Sequence, residues 1–224
     1  MGVWWAAHWT EVLGFVTGAG SVVLAQRRSM WNYPVGILNN LVFIVLFVPA
    51  ALYADAGLQL VFLALAVAGW VGWFRARRAE STAHLERDEA FVLRTPRRAV
   101  PWLVASGIAL AAVLTWLLTA FTDSTTQLAD ATTTAGSIVA QYMLNARWIE
   151  NWFVWAAIDV GYVGLYAAKG LWITAALYLG FIGLCAAGWV SWRRTAAAHA
   201  GASAGTGTGA AADRMPGPGV AADA

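Results

Sequence analysis

Trp148, Trp152, Trp155, Asp159, Tyr162 and Tyr166 follow one another at steps of three or four residues, the spacing that lines side chains along one face of a helix. A row of large rings can stack on a flat molecule, and a carboxylate among them can take up a cation or a hydrogen-bond donor. The surrounding segment, WIENWFVWAAIDVGYVGLY, is otherwise apolar and reads as a membrane span. Asp159 lies about halfway along it, where inserting a carboxylate costs at least about 2.5 kcal/mol. It must therefore face protein or water, and we read it as a polar ligand for a substrate, with the stripe as a binding surface.

The chain contains a weak copy of this segment. Sliding the sequence over itself by 119 residues aligns positions 31–73 with 150–192 without a gap, and 14 of the 43 pairs are identical. Among them are Asn32 with Asn151, Leu52 with Leu171, Phe62 with Phe181, and the closing G-W-V-x-W of Gly69 to Trp73 and Gly188 to Trp192. The alignment sets Asn40, beside Asn39, against Asp159, and Gln59 against Tyr178. Further polar candidates are Gln141 and Tyr142 in the fifth span, Glu150 and Asn151 at the start of the sixth, and Glu11 near the start of the first. Internal repeats in a membrane chain are a transporter signature, with the substrate held near the midplane between the repeats.

The elements that position these residues follow from composition. Of 224 residues 60% are apolar or aromatic and 12% are charged, which makes lipid the solvent for most of the chain. Seven spans can be marked: Trp9–Gln26, Pro34–Tyr53, Gly57–Phe74, Val100–Phe121, Thr133–Asn145, Trp148–Ala168 and Leu171–Trp192. With no basic region ahead of its apolar run, the first span is expected to stay in the mature protein rather than be a cleaved signal. Thirteen of the fourteen basic residues follow odd-numbered spans, and only Lys169 falls on the other side. By the positive-inside rule the N-terminus is outside and the C-terminus cytoplasmic. The copies share one orientation, so the sequence predicts an all-α polytopic membrane protein with parallel repeats arranged 3+1+3. Its expected parts are a first repeat over 1–75, a cytoplasmic connector over 76–99, a linking span over 100–122, a second repeat over 123–194 and a disordered tail over 195–224. The connector reads either as a helix near the headgroups or as a solvated linker.

The tryptophans near span ends, Trp4, Trp5, Trp9, Trp31, Trp70, Trp73, Trp189 and Trp192, read as interfacial anchors. The three histidines, His8, His84 and His199, are scattered, which removes a metal cluster and a nucleophile–base pair. No phosphate-binding glycine loop with a lysine is present, so neither a cofactor nor an enzymatic reaction is expected. The one cysteine, Cys185, reads as packing.

Three motifs carry a resemblance: W-N-Y-P-V-G-I-L-N-N at 31–40, L-Y-A-D-A-G-L-Q at 52–59 and W-I-E-N-W-F-V-W-A-A-I-D-V at 148–160. Together they resemble the PnuC family of vitamin transporters, over about Trp31 to Trp73 and Gln141 to Trp192. The resemblance implies a fold similar to a full-length SWEET transporter, a homotrimer in the bacterial cytoplasmic membrane, and facilitated diffusion of a vitamin precursor that a cytoplasmic kinase then traps. The residues agree with nicotinamide riboside as cargo, a flat cation joined to a hydroxyl-rich sugar. Its expected ligands are Trp152, Trp155, Asp159, Asn151, Gln141, Asn39, Asn40, Tyr162, Gln59 and Tyr178. The intramembrane ionisable residues Glu11, Glu150 and Asp159 are all acidic, which argues against a phosphorylated cargo. Riboflavin or thiamine remain alternatives within the family, and a non-transporting receptor or scaffold is an alternative of another class. Partners are the vitamin, the bilayer and other copies of the chain; no nucleic acid is expected.

Overall fold

The structure is a computed structural model that describes residues 13, 16–48, 53–82, 92–121, 127–168 and 172–212. Seven helices lie among them: α1 over Val16–Gln26, α2 Asn32–Phe47, α3 Tyr53–Thr82, α4 Val100–Phe121, α5 Gln127–Asn145, α6 Asn151–Ala168 and α7 Trp172–Ala212. Glu11, Trp4, Trp5 and Trp9 lie outside the described residues.

Three stretches are long and apolar enough to cross a membrane, Ala56–Ala79, Val100–Phe121 and Ala175–Ala198. At about 1.5 Å rise per residue each exceeds a hydrocarbon core of about 30 Å. Val16–Gln26 and Asn32–Val45 are shorter apolar helices. α5 starts at Gln127, six residues before the apolar pattern predicts. Its early hydroxyls bond back one turn: Thr132 Oγ1 to Leu128 O at 2.6 Å, Thr133 Oγ1 to Ala129 O at 2.9 Å and Ser137 Oγ to Thr133 O at 2.8 Å. Donors satisfied within the helix lower the cost of leaving water, so polarity does not end the element. α7 likewise continues to Ala212, past Arg194, where the composition predicts order to stop; its alanine-rich continuation favours helix.

The turns after α1 and α5 have the same backbone. Arg28 has φ 55° and Arg147, 119 residues later, has φ 62°. Ser29 N donates to Leu24 O and Arg28 N to Ala25 O; Trp148 N donates to Met143 O and Arg147 N to Leu144 O. Each set is a Schellman cap with its left-handed residue at C′. The position usually belongs to glycine because a Cβ there costs about 1–2 kcal/mol, yet both copies carry arginine.

Two tryptophans, one on α3 and one on α7, then bond across between the halves. Trp73 Nε1 donates to Leu144 O at 3.2 Å and Trp192 Nε1 to Ala25 O at 3.2 Å. Each donor and acceptor maps onto its counterpart under the 119-residue shift. Trp73 and Trp192 are fully buried, their ring centroids 6.0 Å apart. Tyr33 meets Trp73 edge-on at 5.2 Å, and Trp152 meets Trp192 edge-on at 5.6 Å. One turn earlier, Gly69 and Gly188 allow the approach. A Cβ on Gly188 would fall 2.6 Å from the Trp152 ring, and one on Gly69 would run into Tyr33 and Asn145. The assignment of Trp73 and Trp192 to an interfacial belt is thus corrected. These rings face protein, and their N–H groups hold one half against the other. Trp31 and Trp70 remain exposed.

α4 packs on α5 and on no other helix from α2 to α7, and none of its residues is buried. Before it, the connector continues α3 as a helix as far as Thr82, and over residues 92–99 it is neither a helix nor a free linker. Leu93 N donates to Arg147 O and Ile149 N to Leu93 O, each at 2.9 Å, which lays an extended strap along the α5–α6 turn. Glu150 Oε2 accepts from Thr95 N at 2.8 Å and from Thr95 Oγ1 at 2.7 Å. Glu150, a candidate ligand by sequence, therefore spends its carboxylate on the connector.

Candidate functional site

A cavity of about 380 Å³ lies among α1, α2, α3, α5, α6 and α7. α4 contributes nothing to it. Its wall repeats the 119-residue shift: Tyr33 stands with Trp152, Asn40 with Asp159, and Phe43 with Tyr162. From α3 and α7 come Gln59 with Tyr178, Phe62 with Phe181, and Ala66 with Cys185. Among the described residues, all but two that line it fall into such pairs; the exceptions are Ser21 and Asn32, whose counterparts Ala140 and Asn151 do not line the cavity. Matched positions of the sequence repeat thus contribute to one wall.

The aromatic stripe of α6 delivers Trp152, Trp155, Asp159 and Tyr162 to this wall, α5 delivers Gln141, and α7 delivers Tyr178. Asn39, Asn40 and Gln59 join them from the other half. Asn151 does not. It is fully buried, and its Nδ2 donates to Trp148 O at 2.6 Å, which places it in the α5–α6 turn rather than in the site. The side chain of Tyr166 lies outside the described residues. Reading α6 alone overlooks Tyr33, Phe43, Phe62, Phe181 and Cys185, although the repeat alignment pairs Tyr33 and Phe43 with residues it does select.

Within the cavity the polar groups have specific partners. Cys185 Sγ donates to Asp159 Oδ2 at 3.7 Å, so the thiol has a partner beyond packing. Asn39 Nδ2 donates to Thr17 Oγ1 at 2.8 Å, tying α2 to α1. Gln141 Nε2 and Tyr33 Oη both donate to Asn145 Oδ1, at 3.2 and 3.4 Å, while Asn145 Nδ2 donates to Leu65 O at 2.8 Å. Asn145 thus holds Gln141 and Tyr33 in place from outside the wall. The rings of Tyr162 and Tyr178 lie 4.7 Å apart and 30° from parallel, and Tyr178 also meets Phe181 at 5.9 Å. Trp152 is committed to the core through Trp192 and Gly188, whereas Trp155 is half-buried and keeps more of its surface at the cavity. Among the described residues Asp159 is the only charged side chain in the wall, and no Lys, Arg or His lines it.

An apolar helical bundle around an aromatic cavity with one carboxylate has the construction of a membrane carrier for a small organic solute. The family model described as nicotinamide mononucleotide transporter matches residues 8–194, and the chain belongs to this family, that of the PnuC vitamin transporters. The riboflavin/roseoflavin transporter RibM of Streptomyces davaonensis is 29% identical over 171 residues, covering 76% of this chain and 78% of RibM. The nicotinamide riboside transporter PnuC of Escherichia coli is 24% identical over 194 residues, covering 76% and 79%. PnuC of Neisseria mucosa is 24% identical over 200 residues, covering 86% and 75%. A crystal structure of the vitamin B3 transporter PnuC superposes with a TM-score of 0.66 at 20% identity, covering 88% of this chain and 86% of that one, a likeness in fold. The protein is a transmembrane transporter.

Proposed function

We propose that the protein takes up nicotinamide riboside by facilitated diffusion, and that phosphorylation in the cytoplasm traps the cargo. The observation that carries this reading is Asp159, a lone carboxylate in an aromatic wall that no basic residue lines among the described residues. A desolvated organic cation is its natural complement, and a cation over an aromatic face gains about 2 kcal/mol when desolvated. Trp155 is the freer stacking surface, while Asn40, Gln59 and Gln141 offer hydrogen bonds to a ribose. A mononucleotide would bring a phosphate to a wall without a cation, at the cost of desolvation and of repulsion from Asp159.

The same reading takes the chain as two three-helix repeats, α1–α3 and α5–α7, joined by α4 in the 3+1+3 manner similar to a full-length SWEET fold. Its N-terminus is outside, its C-terminus is in the cytoplasm, and the exposed α4 serves lipid or neighbouring copies in a homotrimer. The reciprocal Trp73 and Trp192 bonds support the repeat, and the distribution of arginines supports the orientation.

Uptake of labelled nicotinamide riboside into proteoliposomes tests the function. Saturable flux that dissipates a gradient and falls in Asp159→Asn supports it. Flux of riboflavin alone, insensitive to Asp159→Asn, replaces it with the second reading, which the 29% identity to RibM favours. Retained binding without flux of any vitamin leaves a receptor.

A further inference from the structure

A second cavity, of about 560 Å³, lies between α4, α5 and the start of α6. It shares no lining residue with the first: α5 gives Ser137, Gln141 and Leu144 to that one and Ala135, Val139 and Met143 to this. Its lining is apolar except for Thr95, Thr132 and Glu150, and these are bonded within the protein, Thr95 Oγ1 to Glu150 Oε2 at 2.7 Å and Thr132 Oγ1 to Leu128 O at 2.6 Å. Methylene groups suit such a lining, whereas a solute that needs hydrogen bonds finds none. Val104, Ile108 and Phe153 line it and are each more than half exposed, so the cavity is a groove open to the side.

The groove has a defined depth. From Val100 to Ala111 on α4, and from Met143 back to Thr132 on α5, its lining takes eleven steps of about 1.5 Å, or about 16 Å. That is about half of a hydrocarbon core of about 30 Å. One end lies at the strap, where Thr95, Val100 and Glu150 line it, and the other stops at the middle of α4. A helix from a second copy would run the whole depth of the bilayer, but an acyl chain belonging to one leaflet ends at this level.

The strap end is basic. Arg94, Arg97 and Arg98 are exposed between Leu93, which is bonded to the α5–α6 turn, and Val100, where α4 starts. The acid lining this end, Glu150, already accepts two bonds from Thr95. We infer that the groove binds an anionic phospholipid of the cytoplasmic leaflet, one acyl chain lying between α4 and α5 and the phosphate resting among Arg94, Arg97 and Arg98. Basic clusters beside gaps between transmembrane helices hold anionic headgroups by this chemistry. The inference takes from the proposed function only the orientation, which names the leaflet, and the cargo plays no part in it.

Native mass spectrometry of the purified full-length protein, released from micelles containing equal amounts of phosphatidylglycerol and phosphatidylcholine with the same chains, tests it without reference to cargo or sidedness. Wild-type protein should retain phosphatidylglycerol at least about fivefold better, a modest return from three basic residues near a headgroup. Replacing all three by glutamine (Arg94→Gln, Arg97→Gln, Arg98→Gln) should bring the ratio close to one. The same charge removed elsewhere on the basic side, by Arg27→Gln, Arg75→Gln and Arg194→Gln, should leave it unchanged. Gly107→Leu fills the groove: a Cβ there would lie 3.6 Å from Val139 Cγ2, an ordinary contact. It should reduce retention of both lipids severalfold, and Val104→Trp, at an exposed position of the lining, gives the same readout should Gly107→Leu fail to fold. A smaller wild-type preference, equal losses in the two arginine triples, or full retention in a groove-filling variant overturns the site. Disulfide cross-linking of Val104→Cys protein from copy to copy in its membrane, undiminished by added phosphatidylglycerol, overturns it in favour of a second copy.

Discussion

The halves α1–α3 and α5–α7 agree where they hold each other and differ where they face the cavity. Their agreement reaches single hydrogen bonds: the two Schellman turns with an arginine in the left-handed position, the two indole donors at 3.2 Å, the two edge-on ring pairs. Their difference is chemical. The first half presents Asn40, Gln59 and Ala66; at the matching positions the second presents Asp159, Tyr178 and Cys185. A carrier built from like parts needs the same joints in both halves, but its ligand has no two-fold symmetry. The joints therefore keep their identity while the walls diverge.

The sharpest way to break this comparison is to make the walls alike. Asp159→Asn gives both halves an asparagine and should cut nicotinamide riboside uptake by thirty- to a hundredfold, the loss of a charged hydrogen bond of about 2–3 kcal/mol. The exchange variant Asn40→Asp with Asp159→Asn should recover part of that flux, since the carboxylate returns at the matched position of the other half. An exchange no better than the single variant would show that the matched position alone does not define the site.

The joints should respond in the opposite manner, equally on both sides. Trp73→Phe and Trp192→Phe each remove one cross-half N–H and part of a fully buried ring, and each should cost about 2 kcal/mol. Thermal unfolding in detergent checks whether the two agree within about 0.5 kcal/mol. A large inequality would mean that the matched geometry conceals unequal roles.

A smaller effect tests where the halves part at their loops. The carbonyl of Arg147 receives Leu93 N from the connector, whereas that of Arg28 receives Arg77 Nη2 at 2.7 Å. Thr95→Ala removes one of the two bonds to Glu150 and should cost about 1 kcal/mol, read as faster hydrogen exchange at Leu93 and Ile149. Arg77→Ala, at an exposed side chain, should cost less and leave those amides unchanged.

Much of this was legible in the sequence because periodicity reports faces. α4 runs from Val100 to Phe121 in both readings, and the α6 stripe brings four of its side chains to one cavity. What periodicity does not report is which neighbour a face meets. Trp73 and Trp192 stand at span ends, where lipid-facing and protein-facing rings have the same sequence context. The signal that separates them is the glycine four residues earlier, on the same helix face, since a backbone without a Cβ invites a ring. Asn151 and Glu150 misled for a related reason. They open a span, and polar residues there serve a turn as readily as a site. Tyr33 and Phe43 were overlooked because only one half had an obvious charged landmark, although the alignment already paired them with Trp152 and Tyr162.

The sequence contains one cysteine, and it stands in the cavity wall against Asp159. The molecule thereby carries its own clock. A thiol-reactive reagent supplied from one side of the membrane can modify nothing else by that chemistry, so the rate at which Cys185 is capped counts the openings of the cavity toward that side, in unaltered protein and without a label. Bound ligand should slow the count, and comparing the two sides would give the share of time spent open to each.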